Sequence, residues 1–512
     1  MSRRRGGYSG TAGAARTAAK EEQSKSEPQE TQPKDNYSAL DELLAPDVIV
    51  QLFILCISIH FAFAKYGGFQ GPFFLHFQNC AIIVIAILVS AYSKYKSSGY
   101  NPGTLPKFQV FYSFYLPFML SLLFNERLTL VNSALVLNIV EIPLPFRIPM
   151  QWMLIQLQAP EDSPKAPIQS FLAIIINYVF SIVLAKISHL KSLDNVDCSL
   201  FSILLTDVLF LIQSDSIYFQ VLKNTLLAFL IVVSFNYVMS FLLSSFSDGY
   251  MRSIMLFTSF VAGTPFIIKK LLIIDEKDPL DWLLDYISGS KTRITILSTW
   301  LISLFVLVPN ILIFKSNFSL NTSRKVWHFL ILLLISKPFL MDPEFVKISL
   351  AGTIVLFLTV EYLRYLKLQP FGEYLDARLR LFSDFRDDKG PIIISYIYLI
   401  IGVTAPLLIA NSPVGLISLG VGDSLASIIG GKWGKRYWPG TTKTVEGTLA
   451  FVVSTSATMY FFKENLGYFN GISHTNLCIV CLLSGLLEGN STLNDNILIP
   501  AFMLIIERLL CE

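Results

Sequence analysis

Long apolar runs separated by short polar loops dominate the chain from residue 48 onward. A helix needs roughly 20 apolar residues to cross a hydrocarbon core of about 30 Å, and lipid offers an open strand edge no hydrogen-bond partner. The pattern therefore predicts an all-α, polytopic integral membrane protein with roughly 12–16 transmembrane helices. The predicted spans are 48–64, 73–92, 108–124, 129–146, 168–187, 200–213, 222–246, 251–268, 294–314, 326–341, 345–363, 391–410, 413–430, 447–462, 476–487 and 497–510.

Two segments depart from this pattern. Residues 1–46 are rich in Ser, Ala, Gly, Glu, Gln and Lys, which predicts a disordered tail of cytosolic type. Segment 269–293 mixes apolar and charged residues, which is typical of a helix lying at the membrane interface. The rest divides into a multi-span hydrophobic region, 47–320, with a lipid-binding or scaffold role, and a carboxyl-terminal region, 321–512, that holds most of the unusual polar residues.

Composition excludes several classes of protein. Of the 512 residues, 53% are hydrophobic and only 15% are charged, whereas a soluble domain has about 25% charged residues. So much apolar surface cannot be buried in a soluble protein. The net charge of +3 is too small to indicate nucleic-acid binding, and no basic stripe is interleaved with aromatics.

Polar residues after residue 320 gather in four clusters, at 324–328, 364–390, 420–448 and 488–496. The second is a long loop with many Lys and Arg residues, which favours the cytosolic side of a membrane. Counting spans in both directions from that loop places all four clusters on the same face. The sequence therefore predicts one composite site that faces the cytosol.

The segment 420–448 carries the strongest chemical signal. Glycines let backbone N–H groups approach an anion closely, and Lys, Arg and Thr side chains add donors, which is typical of a polyphosphate cradle. Neither GxxxxGK[ST] nor GxGxxG is present, so the cradle is neither a P-loop nor a Rossmann turn. The alternative is a Gly-rich re-entrant turn whose basic residues only obey the positive-inside rule. The predicted nucleotide-binding residues are Gly420, Gly422, Ser424, Gly430, Lys432, Lys435, Arg436, Gly440, Thr441, Lys443 and Thr444.

Asp423 begins an otherwise apolar stretch, and an ionisable residue at membrane depth is a functional candidate. Mg²⁺ bound with a nucleotide takes one or two carboxylates plus phosphate oxygens. Asp423, Glu446 and Asp495 are the predicted ligands of such a divalent ion, with Ca²⁺ as the alternative metal. A Gly-rich turn capped by Asp423 is the competing interpretation.

Basic residues in the first cluster add candidate catalytic groups beside Asp423. Arg324 and Lys325 enter a predicted span, although snorkelling at a helix end explains such a pair equally well. Accessory roles are predicted for four further residues, for which packing or a solvated surface is the alternative. They are His328, Asp384, Asp387 and Glu488.

The segment GVGDSLASIIGGKWGKRYWPGTTKTVEGT at 420–448 resembles the dolichol kinase family, within a wider group of CTP-dependent polyprenol and phytol kinases and cytidylyltransferases. RKVWH at 324–328 resembles that group's Arg-Lys-x-x-His element, and EGNSTLNDN at 488–496 is similar to its closing element. FSDFRDDKGP at 382–391 resembles an acidic loop of dolichol kinases, although Phe385 and Asp388 depart from its pattern. The strong match spans 324–512.

The resemblance implies transfer of the γ-phosphoryl group of CTP to the terminal hydroxyl of dolichol at the endoplasmic reticulum membrane, with a divalent metal. The product, dolichyl phosphate, would serve protein glycosylation. On this reading the backbone of 420–444 and its cations hold the phosphates, and Asp423 binds the metal or orients the hydroxyl. Glu446 or Asp495 completes the metal site, and Arg324 with Lys325 neutralises charge on the transferred group.

Other functions remain open at the level of sequence. The nearest is another CTP enzyme, either a diacylglycerol or phytol kinase or a cytidylyltransferase that makes a CDP-lipid. A lipid transporter or scramblase would also need many spans, but its charged residues are expected near the midplane in paired halves. Protein partners are open, and a homodimer is one option.

Overall fold

The computed structural model describes residues 44–98, 109–140, 142–157, 166–188, 193–243, 249–314, 320–380 and 392–511. Across these ranges the ordered elements are helices, and two isolated β-bridges occur in turns. The prediction of an all-α, polytopic membrane protein is confirmed. Six of the described helices are long and apolar enough to cross a membrane, namely Pro46–Lys65, Ile168–Ile187, Ile217–Leu243, Gly249–Leu271, Pro343–Tyr365 and Val414–Trp433.

Eleven helices precede residue 320 in the described part of the chain. Most coincide with the predicted spans to within a few residues, because each apolar run must place its backbone hydrogen bonds inside a helix. They are α1 (Pro46–Lys65), α2 (Pro72–Ser98), α3 (Val110–Phe124), α4 (Thr129–Leu135), α5 (Leu144–Gln156), α6 (Ala166–Ser188), α7 (Asn195–Thr206), α8 (Ile217–Leu243), α9 (Gly249–Leu271), α10 (Pro279–Ser288) and α11 (Lys291–Phe314).

The predicted span 129–146 is wrong as a single helix. It is α4, a 3₁₀ turn at Val136–Ile139, and the start of α5. Pro143 precedes α5 and Pro145 lies in its first turn, where a missing N–H is tolerated. A proline also disfavours helical backbone at the residue before it, so the apolar run breaks here.

The interfacial segment contains the amphipathic helix that the sequence predicts. The carboxylate of Asp278 caps α10 by accepting a hydrogen bond from the N–H of Leu280 at 3.0 Å. Trp282 is buried on one face of α10, whereas Leu280 and Leu284 are exposed on the other. This helix therefore offers an apolar surface to its surroundings, as a helix at a membrane interface does.

The carboxyl-terminal helices form a bundle around a mainly apolar core. Residues 498–506 of the last helix are almost all buried, and that helix packs against α3 of the first half as well as against its own neighbours. The helices are α12 (Leu320–Met341), α13 (Pro343–Tyr365), α14 (Gly372–Leu379), α15 (Ser395–Ala410), α16 (Val414–Trp433), α17 (Val445–Leu466), α18 (His474–Asn490) and α19 (Asp495–Leu510).

Candidate functional site

The side chain of Asp423 faces the first polar cluster across a helix–helix contact. Asp423 Oδ2 lies 2.5 Å from Lys325 Nζ and 3.4 Å from His328 Nδ1, both on α12. The side chains of Lys325 and Asp423 are only 8% and 15% exposed. Removing one member of such a buried pair costs about 3–5 kcal/mol, because the other charge stays desolvated and alone. Arg324 is on the same helix, but its side chain lies outside the described part of the structure.

A local irregularity in α16 sets this contact. Residues Ser418–Asp423 form a π turn, which inserts one extra residue and rotates the residues that follow. Gly420 brings the backbones together, since a Cβ there would lie 3.0 Å from the Cβ of Leu332 and 3.3 Å from the carbonyl oxygen of His328. The glycine and the π turn together place Asp423 against α12.

The segment between α16 and α17 is a tight loop with internal hydrogen bonds. The N–H of Trp438 donates to the carbonyl of Lys443 at 2.9 Å, and the N–H of Val445 donates to the carbonyl of Arg436 at 2.8 Å. Gly440 turns the chain with φ at +78°, a conformation that favours glycine. Thr444 then caps α17 by accepting a hydrogen bond from the N–H of Gly447. The loop therefore presents its side chains from a defined backbone.

Lys443 joins this loop to the fourth polar cluster. Its Nζ lies 2.7 Å from Glu488 Oε1, 2.6 Å from the carbonyl oxygen of Glu488 and 2.9 Å from Asp495 Oδ2. An ammonium group has three donors, so all of them point at protein acceptors. Although burial opposes its charge, the carboxylates of Asp495 and Glu488 hold the pKa of Lys443 above its usual value. Its predicted contact with a phosphate stays a prediction and requires exchange of one of these bonds.

The two lysine–carboxylate groups lie on helices that pack around the same side chain of α17. A Cβ on Gly422, next to Asp423, would lie 2.6 Å from the ring of Phe451, and one on Gly485, a turn before Glu488, would lie 3.2 Å from the same ring. Three polar regions that lie up to about 170 residues apart in the sequence, 324–328, 420–448 and 488–496, therefore meet at one place. We call Lys325, Asp423, Lys443, Glu488 and Asp495 the inner cluster.

Most of the glycines in the predicted phosphate-binding segment are packed closely against other protein atoms. A Cβ on Gly430 would lie 2.8 Å from Thr444 Oγ1, and one on Gly434 would lie 2.2 Å from the carbonyl oxygen of Gly430. A Cβ on Gly422 would lie 2.6 Å from the ring of Phe451. These glycines thus let α16, the loop and α17 pack closely. Contacts of Gly420, Gly422, Gly430 and the buried Ser424 with a nucleotide stay predictions, as do those of Gly440, Thr441 and Thr444.

Three cations of the same segment are exposed. Each lies outside every ion pair found among the described residues, so their charges are available to an anion. We call them the cationic rim: Lys432, Lys435 and Arg436.

The predicted metal ligands divide between two environments. Asp423 and Asp495 belong to the inner cluster, whereas the carboxylate of Glu446 accepts hydrogen bonds from the N–H of Arg436 at 3.2–3.3 Å. Asp495 Oδ1 is buried and lacks a hydrogen-bond partner within the described ranges. No group of three or more His, Cys, Asp or Glu side chains that could hold a metal ion by itself occurs in that part of the chain. Protein ligands for a divalent ion stay a prediction.

The second polar cluster contributes a buried ion network that the sequence reasoning missed. Asp384 and Asp387 lie outside the described residues. Arg364, which is fully buried, donates to Glu361 at 2.6 and 2.7 Å and to Asp376 at 2.5 Å, and the N–H of Ile393 donates to Glu361 at 2.8 Å. This network ties both flanks of residues 381–391 to α13. Glu361 and Arg364, an acid and a base three residues apart in an apolar helix, are the sequence feature that could have predicted this network.

The first half of the chain also reaches the site, which the sequence did not predict. The buried side chain of Gln51, on α1, donates to the carbonyl oxygen of Asn490 at 3.0 Å and accepts from the Tyr112 hydroxyl at 2.8 Å. Gln109 also hydrogen-bonds Thr492. Residues of α1 and of the start of α3 therefore hold the turn between Glu488 and Asp495.

Comparison with known proteins adds the family. A family model described as the dolichol kinase N-terminal domain matches residues 13–213. The dolichol kinase of Saccharomyces cerevisiae is 43% identical over 441 residues, which cover 85% of this chain and 83% of that protein. The chain belongs to the dolichol kinase family. No solved structure matches it.

Two further dolichol kinases match about half of the chain. That of Schizosaccharomyces pombe is 33% identical over 258 residues, covering 45% of this chain and 51% of that protein. That of Mus musculus is 28% identical over 278 residues, covering 48% of this chain and 51% of that protein. The family resemblance found at 324–512 is thereby confirmed. The family-model match at 13–213 extends the family resemblance to the first half of the chain, where no family motif was found in the sequence.

Proposed function

We propose that this protein is a CTP-dependent dolichol kinase of the endoplasmic reticulum membrane, with its active site facing the cytosol. It transfers the γ-phosphoryl group of CTP to the terminal hydroxyl of dolichol, and the dolichyl phosphate formed serves protein glycosylation. Family membership and the membrane helices support a lipid acceptor. The resemblance of 420–448 to CTP-dependent enzymes supports the donor.

One observation carries the proposal for the site: a buried lysine–carboxylate cluster lies beside a rim of exposed cations at the ends of apolar helices. Phosphoryl transfer is mostly positioning and electrostatic stabilisation, so it needs fixed charges near both the phosphates and the attacking oxygen. The cationic rim supplies donors for the triphosphate. The inner cluster supplies a lysine and carboxylates whose positions are fixed by mutual hydrogen bonds.

The acceptor end of the reaction is assigned to Asp423. Its carboxylate orients the dolichol hydroxyl and takes the proton as the oxygen–phosphorus bond forms and the bond between the γ-phosphorus and the CDP oxygen breaks, releasing CDP. Lys325 holds Asp423 in place and neutralises charge on the transferred group. His328, 3.4 Å from the same carboxylate oxygen, supports its orientation.

The side chains also suit a divalent ion. Carboxylate oxygens are the ligands that Mg²⁺ prefers, and one or two suffice when phosphate oxygens complete the shell. Asp495 offers a buried oxygen without a partner in the described structure, and Asp423 or Glu446 provides the second carboxylate. Such an ion would neutralise charge on the phosphates. Mg²⁺ is the proposed metal, with Ca²⁺ as the alternative.

The test is a labelling experiment with purified protein. CTP labelled at either the γ- or the α-phosphate is offered with dolichol, diacylglycerol or phytol. Label should reach dolichol from the γ position only. Label that reaches lipid only from the α position would show a cytidylyltransferase, and preferential labelling of diacylglycerol or phytol would show a different lipid kinase.

A variant links the activity to the site. Asp423→Asn keeps the size of the side chain but removes its charge, and we expect a loss of turnover of at least about 100-fold, as is typical for a group that takes a proton. Asp281→Asn, an exposed position on α10, is the control and should keep its activity. Near-normal turnover in Asp423→Asn would refute the role of this residue.

A further inference from the structure

An apolar groove opens beside the inner cluster, between α12, α16 and α17. Its volume is about 340 Å³. One wall is formed by α12, the other by α17, and Val421 of the π turn forms the floor. The lining residues are Phe329, Leu332, Leu333, Ser336, Lys337, Val421, Thr458, Phe461, Phe462 and Leu466.

The groove begins next to the lysine–carboxylate pair along both α12 and α16. Phe329 directly follows His328, and Val421 lies two residues before Asp423. From Phe329 to Lys337, α12 rises by about 12 Å, so the groove runs from the pair along the helix toward the other end of the bundle. A ligand that fills the groove and extends past Phe329 would bring its end toward His328 and Asp423.

The groove is open on its outer side. Three of its lining side chains, Phe329, Leu333 and Phe461, are 49%, 59% and 52% exposed. In a membrane helix such exposed apolar side chains face lipid. A lipid chain can therefore enter sideways, without passing through water.

We propose that this groove binds the first isoprene units of the polyprenol acceptor and aims its hydroxyl at Asp423. The inference rests on the proposed function. At 340 Å³ the groove is at the small end of ligand pockets, so it takes a short part of the chain while the remainder lies in the bilayer.

The apolar walls of the groove alone contribute little binding free energy, because the lipid tails that surround the free acceptor are equally apolar. Its contribution is positional: it holds the reacting oxygen near Asp423 and so raises the effective concentration of the hydroxyl there. Recognition then depends on the shape of the first isoprene units. Chain length beyond the groove contributes little.

The first test narrows the groove with Leu333→Trp. The control is Leu356→Trp on α13, since Leu356 is equally exposed at 59% but lies outside the groove. We expect Leu333→Trp to raise the KM for dolichol by about ten-fold or more while the KM for CTP changes little, because a displaced acceptor loses its position. Leu356→Trp should leave both constants within about two-fold. Equal effects of the two variants would overturn the proposal.

A second test needs no turnover and uses the wild-type protein. A dolichol analogue with a photoreactive group on its first isoprene unit should form adducts on α12 and α17 peptides that contain Phe329 or Phe461. Adducts confined to other helices would overturn the groove. Adducts in the groove of a protein that transfers no phosphate from CTP would instead support the groove and refute the proposed function.

Discussion

Lys443 offers a direct test of how the inner cluster is held together. Changing it to Met keeps the length of the side chain but removes the charge and all three donors. Glu488, whose side chain is 8% exposed, and Asp495, at 23%, then lie close together without their shared cation. We expect a clear loss of stability in Lys443→Met.

The size of that loss follows from burial. Breaking a fully buried ion pair costs about 3–5 kcal/mol. The side chains of Lys443 and Asp495 are 27% and 23% exposed, so water solvates part of the charge that remains in the variant. We therefore expect the free energy of unfolding to fall by about 2–3 kcal/mol. At about 2.1 cal/mol/K per residue, cooperative unfolding of the roughly 470 residues after the predicted disordered tail has an entropy near 1.0 kcal/mol/K, so Tm should fall by about 2–3 °C.

The assay is thermal unfolding of detergent-solubilised protein, followed by tryptophan fluorescence without nucleotide. Lys435→Met makes the same change at an exposed rim position and should shift the free energy of unfolding by less than about 0.5 kcal/mol. Adding Glu488→Gln to Lys443→Met removes one uncompensated carboxylate and should restore part of the loss. Equal melting temperatures for Lys443→Met and Lys435→Met would refute the reasoning.

The same assay has a predicted pH dependence. The carboxylates raise the pKa of Lys443 in the folded protein, so its contribution is fully present below the unfolded value of about 10.5 and is lost only as pH rises through the folded pKa. The difference between wild type and Lys443→Met/Glu488→Gln, which has no Glu488 carboxyl left to titrate, should therefore be constant from about pH 7 to pH 9. A difference that disappears within that interval would show that Lys443 is not held as a cation.

Three further predictions concern the surroundings of the cluster. A Cβ on Gly489 would lie 2.4 Å from Thr448 Oγ1, so Gly489→Ala should cost about 1–3 kcal/mol in thermal unfolding, whereas Gly431→Ala, which meets open space, should cost nothing. Changing all three rim cations to Gln should raise the KM for CTP by about ten-fold, because each lost charge weakens binding by about 0.5 kcal/mol. An unchanged KM would show that the rim does not bind the nucleotide. Gln51→Leu leaves the carbonyl of Asn490 without that donor and should cost about 1–3 kcal/mol, measured as a lower Tm with a smaller stabilisation by CTP.

Helix positions were largely predictable from the sequence, because lipid allows an apolar run few structures other than a helix. The span predicted at 345–363 is α13, Pro343–Tyr365. The apolar run at 129–146 predicts a single helix, but Pro143 and Pro145 interrupt it after α4. Backbone chemistry at these prolines therefore outweighs the continuity of the apolar run.

The partners within the site were less predictable. Lys325 and Asp423 are 98 residues apart, and their pairing depends on a π turn that no residue pattern announces. Sequence alone does not distinguish a glycine that allows close packing from one that faces a phosphate, and the structure shows Gly434 packed against Thr444 and the carbonyl oxygen of Gly430. The predicted contact of Lys443 with a phosphate stays a prediction, and the sequence did not predict that its three donors are directed at two carboxylates and a carbonyl oxygen. The sequence predicted which side chains carry charge, but only the fold shows which group each charged side chain contacts.

The charges of the inner cluster also bear on the proposed divalent ion. Two lysines contribute +2 and three carboxylates contribute −3, so these five groups carry a net charge of −1. A triphosphate that approaches this cluster is repelled unless another cation offsets it, and the cationic rim lies at the exposed side of the loop rather than within the cluster. A divalent ion at Asp495 would reverse the sign of the inner charge to +1.

Binding of CTP should therefore depend strongly on a divalent ion, and one carboxylate should account for much of that dependence. We expect the wild-type protein to bind CTP at least about ten-fold more weakly in EDTA than in Mg²⁺, which corresponds to about 1.4 kcal/mol. Asp495→Asn makes the cluster neutral, so it should bind CTP more tightly than wild type in EDTA and gain less from Mg²⁺. Asp281→Asn, far along the chain on α10, is the control and should behave as wild type. Wild-type affinity that is equal in EDTA and Mg²⁺ would contradict this account, because the repulsion by a net negative cluster would then be absent.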